Sequence, residues 1–341
     1  MKSDNKMKTV KTVIVVLVAA GIVFSIIGVA MGASRTLFWT KNGISVASGI
    51  ESVINEPDLG YFDGVDIDVG YGDVEFINSD KYGVEAYSYN QEWNWSLVNG
   101  TLKISYKKNT VIQIMNLDWN LDDANYVKVY LPAGAKLGDV KVKSGSGNIS
   151  VGDFQADNLQ IYSSFGNVDL YSVKGGDMLM DLDSGNFTGK NLDANDFTIE
   201  NNFGKGRFQS VNAVKFSAHS DSGEITMTDC SFGDMTAVSN FGAITADALK
   251  TGKININSDS GHIKMEGEFL GETVITSDFG NVGLTTSIDK TKYTYDLSTD
   301  FGSVTLDGEK LANGAAVISM DKSANSFKIK ASSGNIDIGF K

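Results

Sequence analysis

Glycine recurs every 19 residues through the middle of this chain, at Gly147, Gly166, Gly185, Gly204, Gly223, Gly242, Gly261 and Gly280. Gly302 and Gly334 continue the series after longer insertions, and Gly72 opens it upstream within GYGDV. The surrounding residues repeat as well: SGSGNI, SSFGNV, SDSGEI, SNFGAI, SDSGHI, SDFGNV and TDFGSV. A fixed period of this length marks a solenoid, because each unit is too short to bury its own apolar face and must stack on its neighbours.

Inside each unit the apolar residues alternate. Leu159 and Ile161, Phe197 and Ile199, Phe216 and Ala218, and Ile254 and Ile256 lie seven and five positions before a glycine. Ile149 and Val151, Val168 and Leu170, and Ile225 and Met227 lie two and four positions after one. Spacing by two puts these side chains on one face of a strand. A further apolar position follows seven after the glycine and includes Val173, Leu192, Val211 and Cys230. Cys230 therefore reads as a small buried hydrophobe, and as the single cysteine it excludes an intramolecular disulfide. The 37 glycines against two prolines fit tight turns between strands that cannot spare an N–H. The expected fold is all-β, a right-handed parallel β-helix or β-solenoid of about 19-residue coils. Its coils would rise about 4.8 Å each, roughly 50 Å over the series.

A second period overlies the first. The residue before the glycine alternates Ser146, Phe165, Ser184, Phe203, Ser222, Phe241, Ser260, Phe279, so that large follows small from layer to layer. Interleaving gives each ring more room than direct ring-on-ring stacking. Two positions before the glycine run Asp183, Asn202, Asp221, Asn240, Asp259, Asp278 and Asp300. Alternating Asp with Asn dilutes like-charge repulsion, and the expected role is an Asx-turn ahead of a glycine with positive φ. The nonapeptide calcium pattern GGxGxDxUx is missing, so turn-making is preferred to metal binding, and no metal or cofactor is expected.

The N-terminus carries a different signal. Residues 12–34 hold no charge and are mostly Val, Ile, Ala and Gly, which at about 1.5 Å per residue just span a hydrocarbon core of about 30 Å. Lys2, Lys6, Lys8 and Lys11 precede the stretch with only Asp4 opposing. The positive-inside rule then leaves residues 1–11 as a cytoplasmic tail, makes 12–34 a retained single-pass signal-anchor rather than a cleaved signal peptide, and exports the bulk of the chain. Residues 35–60 are expected as a linker. Residues 1–41 carry five net positive charges against a whole-chain total of −13, which leaves −18 for residues 42–341. Such a surface repels nucleic acid and anionic headgroups.

Val65, Ile67, Gly72, Val74 and Phe76 follow the repeat template, so a first coil is expected within 61–139, with residues 78–139 inserted before the regular coils of 140–341 resume. The insertion is rich in aromatics, among them Tyr87, Tyr89, Trp93 and Trp95. WNWSLV–NG–TLKISY is a hairpin with Asn99-Gly100 as a type I′ turn. The preferred reading makes these aromatics a cap over the open strand edges of the solenoid. The sharper one makes Trp93, Trp95, Tyr87 and Tyr89 a binding site that stacks on sugar rings or anchors a protein.

No catalytic constellation emerges. His219 and His262 occupy different coils without a Cys/His cluster, and no GxSxG elbow or P-loop occurs. Carboxylates are too frequent for any pair to be informative. The segment VKVYLPAGAKLGDVKVKSGSGNISV (127–151), followed by SSFGNVDL, SDSGEITM and SDFGNVGL, resembles the bacterial putative-adhesin family, β-strand-repeat domains of unknown function related to head-GIN-domain auto-transporter adhesins. The resemblance spans roughly 60–341 and implies a β-helical, often membrane-anchored domain, with some relatives tied to envelope-stress signalling and no catalytic residues to carry over. The expected function is a non-enzymatic, adhesin-like or structural interaction protein of the envelope. Its partners would be a cell-wall or host glycan or an envelope protein, and the membrane through 12–34. Extracytoplasmic envelope-stress signalling and a carbohydrate-active β-helix enzyme are the alternatives.

Overall fold

The structure is a computed structural model. It describes residues 13–14, 16–25, 27–28, 36–40, 43–46, 51–89, 91–107, 112–116, 125–318 and 324–341. They form two compact units: residues 1–52, 88–92 and 107–124, and residues 53–87, 93–106 and 125–341.

In the first unit, strand Thr36–Thr40 pairs antiparallel with Gly43–Val46 on one side and Ile112–Asn116 on the other. The expected linker 35–60 is thus largely strand, since Glu51–Glu56 is a strand as well. Thr36-Leu-Phe-Trp-Thr40 is rich in β-formers, and a segment with that preference extends wherever it finds a partner edge. The apolar stretch 12–34 is helical at 13–14, 16–25 and 27–28. Among the described residues no helix is long and apolar enough to cross a membrane.

The second unit is the solenoid. Its strands pair in parallel with a 19-residue offset, so that Leu159, Met178, Phe197, Phe216, Met235 and Ile254 form one inward column. Val168, Phe187, Gly206, Ile225, Ile244, Ile263 and Val282 form another. One coil shows why the sequence alternates as it does. Phe154 and Ala156 point inward, exposed Asp157 and Asn158 turn the chain, and Leu159, Ile161 and Ser163 point inward again. Gly166 makes the next corner, then Val168 and Leu170 fill the third side. The enclosed core is aromatic in the middle coils, where Phe208 meets Phe216 edge-on at 5.0 Å and Phe216 stacks on Phe232 at 4.3 Å. Each such ring contributes about 1.5–3 kcal/mol by leaving water.

In the first coil, Val65 and Ile67 pair with Val140 and Val142, and Val74 with Ile149, across 75 residues of chain. Beneath that coil, Thr101–Tyr106 runs parallel to Gly64–Val69, and Tyr126–Pro132 runs parallel to Asp73–Ser79. Antiparallel partners then cover both, Trp93–Val98 on the former and residues 83–87 on the latter. Asn99 and Gly100 have φ of 51° and 78°, the two positive values a type I′ turn requires.

The far end departs from the sequence order. Strand Glu272–Phe279 pairs with Asn325–Ser333, and that strand in turn pairs with Tyr293–Leu306. The coil of Gly334 therefore lies between those of Gly280 and Gly302, although Gly302 comes earlier in the chain. The reason is the hairpin. Tyr293–Leu306 turns at Asp307-Gly308 into antiparallel Glu309–Ile318, which covers its outer edge and leaves the inner edge for the last strand to fill.

Candidate interaction surfaces

The glycine corner is the tightest place in each coil. A methyl group on Gly185 would lie 1.9 Å from the Gly166 carbonyl oxygen, and one on Gly204 1.9 Å from that of Gly185. Gly72, Gly147, Gly166, Gly185, Gly204, Gly280 and Gly334 have positive φ, as expected. Gly223, Gly242, Gly261 and Gly302 fall outside the left-handed range, yet a methyl there would still come within 1.8–2.1 Å of a stacked carbonyl. Close approach of successive backbones is the constraint shared by all the coils, and positive φ is an addition in some.

The Asp/Asn column beside these glycines bonds between coils. Asn202 Nδ2 donates to Asp183 Oδ1 at 3.3 Å, and Asn240 Nδ2 donates to Asp221 Oδ1 at 2.8 Å. The alternation thus supplies an amide donor to each of these carboxylates, which the expected Asx-turn does not describe. On the other side of the glycine runs a second ladder. The side-chain oxygens of Asn148, Asn167 and Asn186 accept from the backbone N–H of the next coil, at residues 167, 186 and 205, each at 3.1 Å. His262 takes this place in its coil, its Nδ1 accepting from the Asn281 N–H at 3.1 Å. That gives His262 a structural task. His219 lies 3.3 Å from Asp221 Oδ1.

A second corner escaped the sequence reading. Asp153, Ser172, Asn191, Ser210, Asp229 and Ala248 all have φ between 52° and 62°, again 19 residues apart. Asp, Asn and Ser occupy most of these places, and the small polar types tolerate the left-handed region best after glycine. Their fixed spacing was the available signal, but such residues are common elsewhere in this chain.

The aromatic residues are divided. Trp93 is 7% exposed and stacks on Tyr106 at 4.6 Å, so its ring serves the core of the cap. Trp95 packs half-buried against the same core, and its face is not paired with that of Trp93 in an open site. The Tyr89 side chain lies outside the described residues. Tyr87 stacks on Tyr126 at 6.1 Å, beside Tyr130. Glu85 joins that group by accepting from Tyr126 at 2.5 Å and Tyr130 at 2.9 Å. The Tyr126 hydroxyl, then that of Tyr130, holds the Glu85 carboxyl below the usual range. In return the hydrogen bond to Glu85, reinforced by burial, pushes the Tyr126 phenol up to about 12.

The phenylalanines before the repeat glycines face outward. Phe165, Phe203, Phe241, Phe279 and Phe301 are 61, 59, 65, 65 and 80% exposed. Cys230 is buried, and burial pushes its thiol up. Among the described residues no group of three His, Cys, Asp or Glu side chains could hold a metal ion. A hollow lined by Asp247, Lys250, Glu266, Glu268 and Lys341 gathers acids and bases from neighbouring coils. Four of these charges form half-exposed pairs, Lys250 with Glu268 and Lys341 with Glu266, and Asp247 stands outside both pairs.

Fold and corners together define a β-solenoid with glycine-stacked coils and a capped first end. The chain belongs to the family described as Toastrack DUF4097, whose model matches residues 62–188 and again 176–339. The family match agrees with the resemblance carried by the repeats. No curated protein matches the chain. Among solved structures it is similar to a putative adhesin from Bacteroides fragilis, at 14% identity and a TM-score of 0.37 over 85% of this chain and 97% of that one. A putative lipid binding protein from Parabacteroides distasonis matches at 14% identity and a TM-score of 0.36, again over 85% and 97%. A putative cell adhesion protein from Clostridium sporogenes matches at 14% identity and a TM-score of 0.18, over 86% and 100%.

Proposed function

We propose that this chain is a non-enzymatic, adhesin-like interaction protein of the bacterial envelope, held by residues 12–34 as a single-pass anchor with its N-terminus cytoplasmic and its solenoid outside. The observation that supports this most is the repetition of the outer surface. Side chains at equivalent positions recur coil after coil in columns, which suits contact with an extended or repetitive partner better than chemistry on a small molecule. The basic residues ahead of the apolar stretch support the orientation, and the −18 charge beyond residue 41 suits an exported, soluble domain. The largely ion-paired hollow at Lys250 and Glu266 gives the enzyme alternative a place to be tested.

The test is protease accessibility of a C-terminal tag on intact cells, joined to pull-down of isolated envelope material by the full chain. Accessibility and saturable binding are expected. A tag protected until the cells are lysed, or turnover of an envelope glycan by the purified chain, would overturn the reading.

A further inference from the structure

The phenylalanines before the repeat glycines form a single column with a fixed rhythm. Paired strands place Ser146, Phe165, Ser184, Phe203, Ser222, Phe241, Ser260, Phe279, Ser333 and Phe301 on successive rungs. Every second rung thus presents a ring, with a serine between each pair. Rings on alternate rungs lie about 9.5 Å apart. The end of the column depends on the exchanged coil order: in chain order Phe279 and Phe301 would be neighbours, and Ser333 restores the alternation by lying between them. Core packing does not explain these rings, because all five are more than half exposed. A regular row of exposed rings of that kind marks a contact surface.

The geometry points to an extended, neutral β-1,4-linked glycan of a surface outside the cell as the occupant of this column. Three features select it. A β-1,4-linked pyranose chain advances by close to one strand spacing per sugar and turns over at each linkage, so it offers the same ring face at every second sugar. Phenylalanines on every second rung match that repeat, each taking the C–H face of one ring, while the serines leave room for the sugar of opposite orientation. Directly beside the stripe, Asp183, Asn202, Asp221, Asn240, Asp259 and Asp278 supply carboxylates and amides for sugar hydroxyls along the six rungs from Ser184 to Phe279. The same acidic column disfavours a polyanion, including a peptide-bearing strand of the cell's own wall, and disfavours a lipid surface with anionic headgroups. It also disfavours a second copy docked with its own acidic column opposite this one.

This inference rests on the interaction-protein reading for its purpose, but it can fail separately. The experiment uses the full chain in nanodiscs with neutral headgroups, titrated with β-1,4-linked N-acetylglucosamine oligomers of increasing length. Maltooligosaccharides and β-1,3-glucan oligomers of equal length serve as comparators. Affinity should rise with each added pair of sugars and favour the β-1,4 chain. Phe203→Ser/Phe241→Ser should weaken it at least about tenfold, since two stacked faces are lost. Serine already occupies the adjacent rungs, so this variant is expected to fold, and an unchanged melting transition would verify it. Trp93→Ala, where the chain remains folded, should leave the affinity unaltered. Absence of β-1,4 binding, equal binding of all three glycans, or unchanged binding by the double variant would overturn the inference. So would a variant whose only loss is self-association on sedimentation or adsorption to phosphatidylcholine vesicles. A chain that pulls down envelope material but ignores every oligomer would sink the glycan assignment and leave the interaction reading standing.

Discussion

Six successive coils turn at a glycine corner and, six residues later, at a second corner, and the two obey different constraints. At Gly204 the backbone lies so near the Gly185 carbonyl that no side chain fits, whatever the local φ. At Asn191 the backbone is left-handed with φ of 54°, but the side chain points outward into space that Asp, Ser or even Ala can share. Steric exclusion by a stacked neighbour admits one residue type, whereas a strained dihedral only ranks the types. That difference makes one corner conspicuous in the sequence and leaves the other nearly silent.

The largest test of this contrast is Gly204→Ala, expected to cost more than about 4 kcal/mol because the methyl must displace backbone in two coils. Denaturant melts would measure it. Asn191→Ala at the other corner should cost about 1 kcal/mol or less. Comparable losses at both positions would break the comparison. Next in size is His262→Leu, which removes the acceptor for the Asn281 N–H and should cost about 1 kcal/mol, while His262→Asn should restore most of it. If leucine and asparagine behave alike in the melt, the ladder beside the glycine corner is not stabilising. Phe203→Ser, immediately before Gly204, should change stability by no more than about 0.5 kcal/mol, because its ring is outside the core. A larger loss would mean the corner depends on its outer lip as well as its glycine.

The cap sharpens the comparison from a region without either corner. Its stabilisation by Glu85 is electrostatic, so it should depend on pH. The folded-state pKa of Glu85 is depressed, so its contribution is present above the unfolded carboxylate range and lost as pH falls through the folded value. Tyr126 is raised to about 12, so its contribution is complete below the ordinary phenol range and lost as pH climbs towards that value. Glu85→Gln should flatten the acid limb of the stability profile and bring tyrosinate absorbance in at lower pH. An unaltered tyrosine titration would show that the pair does not form in solution.

The parts of the fold written plainly in the sequence are those where one physical requirement dictates one residue type. The 19-residue glycine series announces stacked coils, and the alternation at Leu159 and Ile161 announces their inward faces. Asn99-Gly100 specifies its own turn because both residues must take positive φ. The candidate surface was half legible. Alternation of Phe203 with Ser222 is visible in the sequence and suggests interlayer packing, since local pattern does not distinguish a ring at the lip of a turn from one inside it.

What the sequence alone determined is thus the period, the strand character and the corner glycines, because these are set by backbone sterics repeated identically in every coil. Tertiary structure decided the rest. Whether Trp93 faces solvent or Tyr106 depends on which strand the hairpin lies beneath, a pairing with no local signature. The order of the last coils depends on which edge a hairpin leaves open. Only when Ser333 slots between Phe279 and Phe301 does the alternation begun at Ser146 run unbroken to the end of the column. Parallel pairing is non-local, and residues 54 positions apart meet only after the chain between them has found its own place.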